Sequence, residues 1–136
     1  MAYLTIADLV ARKDRREVWE LANDANLDYD ALQLDEGELA AATANVEAAI
    51  DDASSYIDDR LADRFDVPLD DPDGAILRIC ADLAIYYLAM RRRTEEPMDL
   101  AETRKKCDAA IAAWGRRDEG TQPPFAGRDE TEPFEE

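Results

Sequence analysis

The sequence predicts an all-α protein: a small bundle of about five helices, two short and three longer, followed by an extended or disordered acidic tail. Three observations lead there. Apolar residues across the first 115 positions recur at spacings of three, four and seven, the period of one helix face. Capping signatures precede those runs, and no apolar–polar alternation lasts more than a few positions. Of the 136 residues 46% are hydrophobic, too many for a chain that builds no core. The expected organisation is a helical domain over residues 1–115 and an acidic tail over 116–136.

Thr5 and Asp8 form a capping-box start, with Leu4 placed to staple against Leu9, so a short first helix spans about Ile6 to Lys13. Asp14 and Glu17 repeat the signature and open a second short helix through Val18, Trp19 and Leu21. Asn23 to Glu36 reads as a polar connection. Leu39, Val46, Ile50, Ala53, Ile57, Leu61 and Phe65 then share one stripe of a long third helix, about Glu38 to Phe65. Its opposite side carries Asp51, Asp52, Asp58, Asp59, Asp63 and Asp66. Pro68 and Pro72 end it, since proline lacks the N–H a helix interior needs.

Asp73 or Gly74 starts a fourth helix, Ala75 to Arg93, apolar nearly all round. Such a helix is buried on more than one side, at the centre of the domain or between subunits. Pro97 breaks the chain, and Asp99 with Glu102 caps a fifth helix whose inner face is Leu100, Cys107, Ala110, Ile111 and Trp114. Gly115 stands where a helix stops. Beyond it five Pro and Gly residues and seven acids offer only two Phe, too little to build a core.

Charge narrows the function. Thirty-three acids face 16 bases, for a net charge of −17, and histidine is absent. Without histidine, Ser-His-Asp chemistry and most zinc sites are out of reach. The acidity opposes grip on a phosphate backbone. We therefore expect no enzyme, no cofactor and no metal. Cys80 and Cys107 are too few for a disulfide framework and read as buried, reduced thiols. Residues 83–90 form the longest apolar run, far short of the ~20 residues a membrane span needs. Only three of the 16 bases are lysines and 20 of the acids are Asp, a composition similar to that of proteins from salt-loving organisms.

Asp24-x-Asn26-x-Asp28-x-Asp30, with Asp35, has the spacing of a calcium loop. Tyr29 replaces the glycine that loop requires, and Asp35 its bidentate glutamate, so a solvated acidic segment is the better reading. Arg91, Arg92 and Arg93 end the fourth helix, where cations complement its dipole or dock an acidic neighbour. Tyr86 and Tyr87 read as core or interface aromatics. Arg60 and Arg64 sit at the edge of the apolar stripe, where a guanidinium needs a carboxylate. Asp82 is the candidate, and an Arg64–Asp82 bridge between the third and fourth helices is expected.

Four stretches carry a resemblance. They are Met1-Ala2-Tyr3-x-Thr5-x-Ala7-Asp8-Leu9, Ile57-x-x-Arg60-Leu61-x-x-Arg64-Phe65-x-Val67-Pro68-Leu69, Leu77-Arg78-x-Cys80-x-Asp82-x-Ala84-x-Tyr86, and Arg93-Thr94-Glu95-Glu96. In this order, over residues 1–114, they resemble a family of small proteins from Mu-like phages and prophages. That family is similar to the helical head–tail connector (adaptor, head-completion) proteins of tailed viruses. The Asp excess and the Pro-rich tail depart from the family pattern.

The resemblance implies a homo-oligomeric ring, typically twelvefold, in the virion neck after assembly in the host cytoplasm. The ring would sit beneath the portal protein, meet a tail or tail-completion protein, and pass DNA without binding it specifically; no membrane is involved. Asp51, Asp52, Asp58, Asp59 and Asp63 would face the channel and repel the sliding DNA. Tyr86, Tyr87, Arg91, Arg92 and Arg93 would meet a neighbouring subunit or the portal, as would Pro123, Pro124, Phe125 and Phe134 of the tail. The alternative is an acidic DNA mimic that inhibits a host nucleic-acid enzyme.

Overall fold

The computed structural model describes residues 2–121, with side chains described through Arg116. Six helices and no strand occur among the described residues: α1 (Ile6–Arg12), α2 (Arg15–Ala22), α3 (Tyr29–Gln33), α4 (Glu36–Leu61), α5 (Gly74–Met90) and α6 (Met98–Thr121). Each start is chemically marked. Thr5 and Asp8 close the expected capping box on α1. Asp14, Asp28, Asp35 and Asp73 accept an N–H from the first turns of α2, α3, α4 and α5. Four of the 20 aspartates thus satisfy helix N-termini that would otherwise carry orphan donors.

Two elements differ from expectation. The connection after Asn23 contains α3, five residues long, anchored by the fully buried Leu32. So short a helix leaves no periodicity to find. And α6 runs through Gly115 to Thr121 instead of stopping. Glycine in a helix interior costs only about 1 kcal/mol, and the residues after it, Arg116, Arg117 and Glu119, favour helix. The last turns of α6 thus run past Gly115 to Thr121, and the rest of the expected tail lies outside the described residues.

α5 is the axis. Ile76, Ile79, Cys80, Ala81, Leu83, Ala84, Tyr86 and Leu88 are all buried, spread over about 220° of its circumference. It packs on both α4 and α6, and Val46, Ile50, Ile57 and Leu61 of α4 and Cys107, Ile111 and Trp114 of α6 share the buried core. Leu77, Ile85, Tyr87 and Met90 of α5 remain half-buried. Both cysteines are buried unpaired thiols, and burial pushes the pKa of each upward, Cys107 to about 11.

The N-terminal segment is tied down by polar contacts. Tyr3 N–H donates to Ser54 Oγ at 2.9 Å, and that buried hydroxyl bonds Ile50 O. The Tyr3 hydroxyl donates to the Asp58 carboxylate and accepts the Leu69 N–H at 2.8 Å. Burial, then the Asp58 carboxylate, push this phenol up to about 12. One side chain thereby links the N-terminus, α4 and the proline-containing connection.

Candidate interaction surfaces

The outer face of α4 carries the acidic stripe expected from the sequence. Asp51, Asp52 and Asp59 are exposed there, with Asp63 just past its end. None of the four forms an ion pair among the described residues. Asp58 departs from the stripe: it is half-buried and holds the Tyr3 hydroxyl, so it is an anchor for the N-terminus.

The expected Arg64–Asp82 bridge does not form; Asp82 pairs with Lys13 instead. α5 turns Asp82 towards the junction of α1 and α2, where Lys13 ends the first helix. Arg64 is exposed beyond the last turn of α4. Arg60 meets a carboxylate on α6: Asp108 lies 3.5 Å from its Nε, and the guanidinium covers the Tyr56 ring at 4.5 Å.

Arg60 belongs to a network that joins α4, α5 and α6. Tyr56 donates to Asp108 and accepts from Arg60 at 2.6 Å. Arg104 reaches Asp108 at 3.6 Å and forks onto Glu96 at 2.8 and 3.0 Å. Tyr86 donates to the same Glu96. The Arg104 fork, with the Tyr86 hydroxyl, holds the Glu96 carboxyl down at about 2, and burial with Glu96 pushes Tyr86 up to about 12. Tyr86 is only 8% exposed, so it serves as an internal strut with little area for a neighbour. Tyr87 is half-buried, edge-on to both Tyr56 and Tyr86.

This network predicts a pH signature. A carboxyl depressed in the fold adds stability that is complete above its unfolded value, near 4.5, and is lost as pH falls towards about 2. Urea unfolding at pH 6 and pH 2.5 should show wild type well ahead of Glu96→Gln at pH 6 and much closer at pH 2.5. A gap that stays constant would mean that Glu96 ionisation does not stabilise the fold.

The arginine cluster is also internally engaged. Arg91 donates to Asp24 and to Leu21 O, both at 2.7 Å, closing the end of α5 onto the connection after α2. Arg92 reaches Asp24 at 3.4 Å, and Arg93 returns to Ala89 O at 2.9 Å, the helix-end role its position suggests. Asp24, which could have begun a calcium loop, is instead an arginine acceptor held below the usual carboxylate range by Arg91. Asp28 and Asp35 of the same motif are helix caps. Arg92 and Arg93 remain exposed enough to meet a partner; Arg91 is half-buried. Pro123, Pro124, Phe125 and Phe134 lie outside the described residues.

Sequence reasoning missed Lys13 and Tyr3 as structural residues. Their partners stand 69 and 55 positions away, so nothing local signals them. It also missed the hollow between α5 and α6.

Fold and surfaces together define a small all-α bundle wrapped round one central helix, with its strongest surface feature an acidic helix face. The chain belongs to the Bacteriophage Mu, Gp36 family, whose model matches residues 3–114. The match covers all of the bundle but the last turns of α6, and it makes this a phage protein. No curated protein matches the chain.

Proposed function

We propose that the protein is a structural, non-catalytic head–tail connector, forming a ring beneath the portal that continues the DNA channel towards the tail. The observation that carries this reading is the acidic outer face of α4 on a member of a phage family. Asp51, Asp52, Asp59 and Asp63 meet no cation among the described residues. Turned to a channel, such a face repels phosphates and lets DNA slide, where a basic face would hold it. Arg92 and Arg93, at the far end of α5, give a neighbouring acidic surface something to bind. The helices of the described residues include none long and apolar enough to cross a membrane, in keeping with a site in the particle.

Mass spectrometry of purified virions, followed by imaging of their necks, tests the proposal. The expected result is a fixed number of copies in a ring at the portal. Absence of the protein from virions overturns the reading, and its recovery on a host nucleic-acid enzyme would favour the DNA-mimic alternative.

A further inference from the structure

α5 and α6 run antiparallel, since Trp114 Nε1–H donates to Asp73 at the start of α5, at 3.0 and 3.2 Å to its two oxygens. Between them, on the side away from α4, lies a hollow of about 730 Å³ floored by Ile79 and Trp114. Arg78 and Lys106 stand on its edges, and neither has an ion-pair partner among the described residues. Lys13 closes the hollow with its partner Asp82, and Glu17 is the one further acid on the lining. Two cations that pair with none of the described residues, over an apolar floor, are an unusual surface on a chain of net charge −17.

We propose that this hollow seats residues 122–136 of the same chain. The inference does not depend on the connector reading. Charge complementarity is the first argument. That segment holds five carboxylates against one arginine, together with Phe125 and Phe134. Its aromatics suit the floor and its acids the edges.

Reach is the second. α6 ends at Thr121, roughly 10 Å beyond Trp114. Returning past Trp114 and along α6 to Thr103 requires roughly 27 Å, and 15 extended residues span roughly 50 Å. Phe125 arrives first, at the Trp114 end, and Asp129, Glu130 and Glu132 follow towards Lys106 and Arg78. The prolines stiffen the segment and lower the entropy lost on seating it. Tethering keeps the effective concentration high, which favours a chain's own segment over another copy's.

Carbodiimide coupling reads this directly, because it joins a carboxylate to an amine only where they touch. The chain has just three lysines, and Lys105, next to Lys106, does not line the hollow. In full-length monomer, at a salt concentration where circular dichroism reports the helical fold, links from Asp129, Glu130 or Glu132 should favour Lys106 over Lys105 roughly fivefold. Arg78→Glu should abolish the preference while leaving the helical spectrum unchanged. Equal yields at the two lysines, or no link to residues 122–136, overturn the proposal. Links confined to a cross-linked dimer overturn it too, and show the seat filled by another copy's segment.

Discussion

Trp114→Ala should destabilise the bundle by roughly 3–5 kcal/mol, the range for truncating a large buried aromatic. Trp114 is 9% exposed, tilts against Phe65 at 5.2 Å between ring centroids, and donates its indole N–H to Asp73. It therefore joins the last third of α6 to both the end of α4 and the cap of α5. Trp114→Phe keeps most of the packing and loses the N–H; a hydrogen bond to a charged group contributes about 1.5–3 kcal/mol, so this variant should fall between the two. Urea denaturation of the three proteins in one buffer gives the comparison. A loss below about 1 kcal/mol for the alanine variant would show that this end of α6 is not part of the cooperative core.

The second large effect is salt. At 0.1 M ionic strength the Debye length is about 10 Å, and at 1 M about 3 Å, so molar salt removes most repulsion between exposed carboxylates. Residues 20–75 alone hold seventeen acids against two arginines. We expect the thermal midpoint to rise by roughly 10 °C between 0.1 M and 2 M KCl, as relief of about 2–3 kcal/mol would produce in a domain of this size. Replacing Asp51, Asp52, Asp59 and Asp63 together by asparagine should raise the low-salt midpoint and flatten the salt dependence. These four have no ion pair to lose among the described residues. Equal midpoints at both salt concentrations would sink the halophilic reading of the composition.

Much of the architecture was legible because it rests on short-range chemistry. A cap side chain bonds an N–H two or three residues ahead, so Thr5, Asp14 and Asp73 announce their helices in the sequence. An apolar stripe repeats within a turn, so α4 and α5 were found within a few residues of their ends. The exposed acids of α4 followed from the same wheel. Composition pointed to an acidic protein with a core, periodicity and caps to a helical one, and four short stretches to the phage family that residues 3–114 match.

Pairing between distant side chains was decided only by the tertiary structure. With 49 charged residues, every guanidinium has many possible carboxylates, and the sequence ranks them poorly. Arg64 and Asp82 looked matched because each sat beside apolar neighbours. The angle at which α5 meets the α1–α2 junction gave Asp82 to Lys13, and the approach of α6 gave Arg60 to Asp108. Tyr86 reads from the sequence as either core or interface; its bond to Glu96, which Arg104 holds, makes it core. The physical reason is range. Backbone caps and helical periodicity act over three to four residues, whereas an ion pair is fixed by where whole helices pack, and that packing is settled by the apolar core.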